Sequence, residues 1–337
     1  MTASPRVVVS CVGENRDDWF AKIRNLVLSL RRFGGSLADA PVVVNLVGGA
    51  RPEFVRALAD LDADVRPVEP VDRRLPTSNK LRMLELATTD DFDVLLMLDC
   101  DVIFHGDPSE ELAGGSVRAA PAGKSHLPPA AWAELYRDLG IPEPAWRMTL
   151  VSGERSHPYF NTGVLVVPKE ACSVLLEHWY TSMQRFFELA AASPGLKTFL
   201  KDQIPFACAV AAAELEVELL PLNLNLSTTR AQLAPAFRGQ WGPPFILHYH
   251  HSIDSDGFLQ ASPNDDVNRY LDEFNRCRSQ ELGLPYAGMT SLSLTTRIRA
   301  RLAAQPWFWQ AKHRYLRARK LAIMALRRVT PSGTRHG

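Results

Sequence analysis

The chain has 337 residues, of which 46% are hydrophobic and 22% charged. That balance suits a soluble globular protein with a full core and excludes an intrinsically disordered one. The net charge is +1, yet from Leu282 onward there are 11 Lys or Arg and no Asp or Glu, which leaves 27 basic and 37 acidic residues, a net of −10, up to Glu281.

An acidic body over 1–281 and a basic tail over 282–337 are therefore expected. The opening MTASPRVVVS lacks the charged start and long apolar run of a secretory signal. No apolar run approaches the roughly 20 residues of a membrane span. A cytoplasmic location is the expectation. The five cysteines (Cys11, Cys100, Cys172, Cys208, Cys277) form no CxxC pair, so buried reduced thiols are expected rather than disulfides or a zinc ribbon.

In chain order, RVVVSCV from Arg6 reads as a buried strand. A helix follows over 17–33, with Phe20, Ile23, Val27 and Leu30 at helical spacing and Gly34–Gly35 ending it. APVVVNLVGG is a second strand, PEFVRALADL a helix opened by Pro52, and ADVRPVEP a third strand. SNKLRMLELATT predicts a helix with Ser78 as N-cap, and DFDVLLMLD a fourth strand. Such alternation implies a largely parallel sheet with helices on both faces, with ligands at the carboxyl ends of the strands.

Beyond Pro108, SVRAAPA is a candidate strand and a short helix starts at Pro128. YFNTGVLVVP predicts a strand, and the stretch from Lys169 to about Ala192 a long helix. KDQIPFACAVAAAE reads as a buried helix, VELLPLNLNLS and PPFILHYHHS as strand-like pieces, and 263–281 as an amphipathic helix.

Two features carry chemistry. Asp99 and Asp101 end the fourth strand and, two residues apart, point to one side. Like charges so close need a compensating cation, and oxygen-rich sites suit Mg²⁺ or Mn²⁺ bridging to phosphate. A solvated aspartate turn is the plainer alternative. His248, His250 and His251 end a later apolar run, and neutral imidazole is the commonest protein metal ligand.

With these residues in view the sequence resembles a nucleotide-sugar-dependent glycosyltransferase of the GT-A fold. It is most similar to the retaining family that includes glycogenin and the galactosyltransferases of bacterial lipooligosaccharide synthesis. VVVSCVGEN resembles that family's first strand and nucleotide loop, and NLVLSLRRFG its following helix. SNKLRMLEL with FDVLLMLDCDVIFHGD resembles its lysine-bearing helix, strand and DxD. YFNTGVLVV, KDQIPFACA, LPLNLNLS and ILHYH follow in the family's order, from about Arg6 to about Ile253 overall.

The resemblance implies one α/β GT-A (Rossmann-like) domain with a mixed, mostly parallel sheet, to which the charge pattern beyond Leu282 adds a basic helical appendage. It implies a hexose transfer from a nucleotide sugar, by analogy a UDP-hexose, with retention, to a glycan or lipid-linked acceptor. Asp99, Asp101 and His248, with His250 as fallback, would hold Mn²⁺ or Mg²⁺. Lys80 would reach donor phosphate or sugar. Asn161 and Gln203 would hold sugar hydroxyls, with Asp202 near the anomeric carbon. Val12, Gly13 and Asn15 would line the nucleotide pocket. The family's Gly-x-x-Lys-Pro-Trp-like segment is replaced by HSIDSDGFL, which keeps Gly257 but has no lysine; Lys201, Arg230 and Arg238 are candidates for that charge.

The plainer alternatives are an exposed helix lysine at Lys80, a turn residue at Asn161, a helix cap at Asp202 and strand-end residues at Asn223 and Asn225. Trp132, Tyr136 and Trp146 are candidates for stacking on an acceptor sugar, or for ordinary packing. In the tail, Trp307, Phe308, Trp309 and Tyr315 interleave with Lys and Arg, a pattern suited to an anionic membrane surface on the cytoplasmic face. Nothing resembles a nucleic-acid reading module. Two rival functions stand beside the transferase. One is a non-catalytic nucleotide-sugar or membrane binder. The other is a haloacid-dehalogenase-type phosphohydrolase with Asp99 as nucleophile and Asp101 as acid/base, which needs a further lysine and a second acidic pair after another apolar strand, whereas Asp265–Asp266 follow SPN.

Overall fold

In a computed structural model, which describes residues 5–123, 125, 127–192, 202–228 and 242–289, the β-branched run at the start becomes β1 (Val7–Glu14) in the middle of a seven-stranded sheet. Helix α1 (Asp17–Phe33) follows, then β2 (Val42–Val47), α2 (Pro52–Ala59) and β3 (Ala63–Val68). Pro52 is in the first turn of α2 and Gly34 follows α1, as expected.

The twelve residues of SNKLRMLELATT do not make one helix. A 3-10 turn over Pro76–Lys80 leads into a single α-turn, α3 (Leu81–Leu84), and a second 3-10 turn over Glu85–Thr88. Ser78 is not an N-cap: it is buried inside the first turn, and its hydroxyl accepts from the Asp72 N–H at 3.2 Å. Pro76, with its fixed φ, opens the turn two residues earlier.

Strand β4 (Val94–Leu98) is buried along its whole length, then β5 (Val102–Phe104) leaves for a second sheet. The order continues with β6 (Val117–Pro121), α4 (Pro129–Asp138), the short pair β7 (Arg147–Met148) and β8 (Arg155–Ser156), β9 (Phe160–Pro168), α5 (Lys169–Ala192) and α6 (Gln203–Ala212). Then come β10 (Val217–Leu219), β11 (Leu226–Ser227), β12 (Ile246–His248) and α7 (Asp265–Leu282). The predicted single strand in VELLPLNLNLS is split at Pro221: β10 joins the main sheet and β11 the small one.

The main sheet has the order β10-β6-β9-β4-β1-β2-β3. Strands β3, β2, β1 and β4 are mutually parallel, while β9 runs antiparallel to both β4 and β6. This is the mixed, mostly parallel α/β sheet expected of a GT-A domain. Alternation along β4 explains the layers. Leu95 and Met97 face a core with α5 and α6, and Leu96 and Leu98 face a core with α1 and α2.

The antiparallel strand positions the site. The parallel strands end at one edge of the sheet, and β9 starts there, so Asn161 and Gly163 arrive beside the end of β4; the Asp99 N–H donates to the Gly163 carbonyl at 2.9 Å. In the small sheet β12 pairs antiparallel with β5, with His248 opposite Val102, and the Tyr249 N–H donates to the Asp101 carbonyl. Helix α7 ends at Leu282, and the turn beyond it packs back, with the Tyr286 hydroxyl donating to Asp272. The basic stretch 290–337, Lys201, Arg230 and Arg238 lie outside the described residues. Among the described residues no helix is long and apolar enough to cross a membrane. The five cysteines are free thiols, four of them buried.

Candidate active site

Asp99 and Asp101 are the first and last residues of the three-residue turn where the chain leaves β4 for β5. The turn keeps them on one side, as strand alternation predicts, and buries Cys100 in the core on the other. One oxygen from each carboxylate and one ring nitrogen of His248 lie within 4.8 Å of one another. The His248 Nε2 is 3.1 Å from Asp101 Oδ1 and 4.0 Å from Asp99 Oδ2.

The donor set fits a hard divalent cation. His248 Nδ1–H donates to Asn225 Oδ1 at 2.9 Å, which turns Nε2 toward Asp101. With Nδ1 so committed, Nε2 meets Asp101 as an N–H donor when the ring is protonated, and when it is neutral as a lone pair that a cation shared with the carboxylate can take up. His250, the fallback ligand, stacks on the His248 ring at 3.9 Å and has its Nε2 2.8 Å from the Ser227 hydroxyl.

Behind this triad is an ion pair. Lys80 Nζ lies 2.6 Å from Asp99 Oδ1 and 2.6 Å from Asp202 Oδ2. Thr162 Oγ donates to the same Asp202 oxygen at 2.6 Å. Asp202 occupies the N-cap position of α6, but its side chain makes no cap bond; the cap alternative is therefore wrong, because the carboxylate is drawn to Lys80. The Lys80 alternative fails likewise: its side chain is 13% exposed.

Charge sets the protonation of these groups. Burial pushes Asp99 above the ordinary carboxylate range, against the pull of Lys80 and with the push of Asp101. Burial also opposes ionisation of Asp101, but His248, by its charge and its hydrogen bond, outweighs it and holds that carboxyl well below its usual value. For Asp202, too, burial is outweighed, by Lys80 and Thr162, and its pKa is lowered. Lys80, desolvated yet flanked by two carboxylates, has its pKa raised.

The remaining predicted residues are placed as follows. Asn161 Oδ1 accepts from the Gly163 N–H at 2.8 Å, which leaves its amide NH₂ as the group to offer a ligand. Gln203 is the half-buried first residue of α6, next to Asp202. Asn15 lines a cleft of about 390 Å³ at the ends of β1, β2 and β3, together with Gly48, Asp72, Arg73 and Asn79. Gly13 faces α1: a Cβ there would stand 2.6 Å from Ile23 Cδ1. Val12 is half-buried against the core beneath α5 and α6.

Trp132 and Tyr136 are not free to stack on a sugar. Both are 1% exposed and lie against the His157 ring, at 5.1 and 5.7 Å, while Trp146 covers that ring from outside at 4.6 Å. Asp265 and Asp266 are exposed in the first turn of α7 and not beside Asp99, which removes the second acidic pair that phosphohydrolase chemistry needs.

Sequence reading missed Thr162, Gly163 and Lys22, and gave Asn225 only a strand-end role. Gly163 is where the histidine ring crosses β9: an added Cβ would lie 2.7 Å from His248 Cε1. The signal for Asn225 was its place one residue before β11, the strand paired with β12. Thr162 could have been found from its place between Asn161 and Gly163.

Residues 25–214 match the family described as the Rhodobacterales glycosyltransferase domain. That span takes in Lys80, Asp99, Asp101, Asn161, Asp202 and Gln203. No curated protein sequence matches the chain. Among solved structures, the galactosyltransferase LgtC, determined with donor and acceptor sugar analogues, is similar over 86% of this chain and 99% of that one, with 14% identity and a TM-score of 0.44. The bifunctional glycosyltransferase WbbM is similar over 82% of this chain and 50% of that one, at 12% identity and a TM-score of 0.48. Mouse xyloside xylosyltransferase 1 is similar over 72% and 97%, at 13% identity and a TM-score of 0.42. Matched by the family over more than half of its length, the chain belongs to the Rhodobacterales glycosyltransferase domain family and is a glycosyltransferase.

Proposed function

We propose that this glycosyltransferase moves a hexose from a nucleoside-diphosphate sugar, a UDP-hexose by analogy, to a glycan or lipid-linked acceptor, with retention at the anomeric carbon. The observation that carries this reading is the Asp99–Asp101–His248 triad within 4.8 Å, set against the Lys80–Asp202 pair at 2.6 Å. Asp99, Asp101 and His248 are the groups that would hold Mn²⁺ or Mg²⁺. Such an ion, when bound, supplies Lewis-acid stabilisation of the departing diphosphate.

The chain's own groups do the rest. The cleft lined by Asn15 and Asn79 has room for the nucleoside at the carboxyl ends of the parallel strands. Lys80 carries a fixed positive charge to where negative charge develops on the leaving group. Asp202 is kept ionised by that lysine and by Thr162, the state needed either to attack the anomeric carbon or to steady an oxocarbenium-like centre. The Asn161 amide and Gln203 would fix sugar hydroxyls. Peripheral attachment to the cytoplasmic face of a membrane through the basic tail would bring a lipid-linked acceptor within reach.

The test is a thermal-shift series of nucleoside diphosphates and nucleotide sugars with Mn²⁺ and with chelator, since a ligand bound to the native state raises its stability by mass action. Metal-dependent stabilisation by UDP that is lost in Asp101→Asn, together with UDP release from a UDP-sugar, is the expected result. UDP binding without sugar release under any metal would leave a non-catalytic binder. No stabilisation by any nucleoside diphosphate would overturn the reading.

A further inference from the structure

Lys22 is a buried cation with an unusual neighbour. It is 5% exposed, and its Nζ lies 2.7 Å from His251 Nδ1. Its nearest carboxylate, Asp18, is 4.0 Å away and is held by Arg16. A buried ammonium is costly unless something compensates its charge. Here the compensation lies one residue further on, because the same His251 Nδ1 is 3.6 Å from Asp101 Oδ2. Asp101 is thus approached by His248 on one oxygen and by the His251–Lys22 pair on the other.

The backbone is distorted to bring this about. His250 and His251 both have left-handed φ, 46° and 65°, a conformation that non-glycine residues rarely adopt and that clusters at functional sites. The two residues turn the chain back after β12, so that His251, 229 residues from Lys22 in sequence, reaches both the helix and the acidic site. From His251 to Asn268 the chain has no Lys or Arg but has Asp254, Asp256, Asp265 and Asp266. The cations that reach this segment come from other elements: Lys22 of α1 meets His251, and Arg278 of α7 donates to the Asp256 carbonyl at 2.7 Å.

An ammonium can only donate. Its hydrogen bond to Nδ1 makes that atom the acceptor, so the ring proton is on Nε2, on the far edge of a side chain that is 67% exposed. We infer that Lys22 and His251 act as one unit that binds a phosphate oxygen of the donor, with the His251 Nε2–H making the contact and Lys22, behind it, fixing the tautomer and adding charge. His251 is the ligand-touching residue and Lys22 the positioning residue. The inference rests on the nucleotide-sugar reading above.

The experiment compares, in the full chain with Mn²⁺, the affinity for whichever of UDP, GDP and ADP binds best with that for its parent nucleoside. Lys22→Met and His251→Ala should each weaken the diphosphate by roughly tenfold, as expected for one charge-assisted hydrogen bond, and leave the nucleoside unchanged. The double variant should be no weaker than either single one, because the pair acts together. His251→Gln, whose amide can accept from Lys22 and donate to phosphate, should restore most of the affinity. An unchanged diphosphate-to-nucleoside ratio in both single variants overturns the inference, as does a double variant whose losses add. Should Lys22→Met not fold, the exposed His251→Ala and His251→Gln carry the test alone. A wild-type protein that binds no diphosphate would fail the nucleotide-sugar reading itself, and this inference with it.

Discussion

Lys80 and Asp202 lie 122 residues apart in sequence and 2.6 Å apart in the fold, with the lysine also 2.6 Å from Asp99. One ammonium therefore holds two carboxylates that belong to different parts of the site. Asp99 is a candidate cation ligand, and Asp202 is the group nearest the proposed reaction centre. Whatever draws Lys80 toward a donor changes the charge felt by both.

The pair makes a stability prediction. Lys80→Met leaves the buried Asp202 and the half-buried Asp99 without their shared cation, which should cost about 3–5 kcal/mol at neutral pH. The sign with pH follows from Asp202. Its folded pKa is lowered, so its contribution is fully present above the ordinary aspartate value, about 4, and is lost as pH falls through the lower folded value. In the variant, burial without the lysine raises that pKa. The gap between wild type and Lys80→Met in urea unfolding should therefore be widest near pH 7 and narrow on acidification below about pH 5. A gap that is constant with pH would contradict the pairing.

Asn225 offers a second test, on the cation. Its Oδ1 holds the His248 ring through Nδ1, the kind of supporting bond whose loss typically lowers metal affinity 10–100-fold. Asn225→Ala should weaken Mn²⁺ binding by about tenfold or more in an electron paramagnetic resonance titration. Asn223→Ala, which removes only a bond to the Pro243 carbonyl, should leave it unchanged. Equal effects of the two would mean that Asn225 merely closes a turn.

Gly163 is a steric gate for the same ring. In Gly163→Ala the new methyl would meet His248 Cε1 at 2.7 Å and Nδ1 at 2.9 Å, and Asn161 Oδ1 at 2.9 Å. Overpacking of this kind costs about 1–3 kcal/mol, which a buried two-core domain should survive. Melting should show a folded protein with reduced Tm, whose Tm Mn²⁺ raises less than the wild-type Tm is expected to rise.

How much of this was readable in the sequence depends on range. The fully apolar VLLML ended by two aspartates announced a buried strand whose tip carries chemistry, because burial and side-chain period are local properties. The long helix over Lys169–Ala192 was equally plain. Lys22 was not, because it sits between Phe20 and Ile23 as a routine helix lysine does, and its burial arises only when His251 folds back from the far end of the domain. Asn225 and Thr162 were hidden for the same reason: each earns its role from a partner tens of residues away. SNKLRMLELATT misled because helical composition says little about whether a chain opened by Pro76 winds as α or 3-10.

The aromatic residues before β9 give the last prediction, which separates packing from recognition. Trp132 and Tyr136 are 1% exposed and pack against each other and against the buried His157, whose Nε2 is 2.7 Å from Glu143. Trp146, 37% exposed, covers the outside of that ring. Trp132→Ala removes a filled core volume and should cost about 3–5 kcal/mol, seen as a lower urea midpoint with an unchanged slope. Trp146→Ala removes the cover and the indole's hydrogen bond to the exposed Glu143, and should cost under about 1 kcal/mol. If the cluster is core, neither change alters the KM for acceptor in protein that remains folded. A rise in acceptor KM for Trp146→Ala without a loss of stability would instead make the exposed face of that indole part of the acceptor surface, with Trp132 and Tyr136 still serving as its buried support.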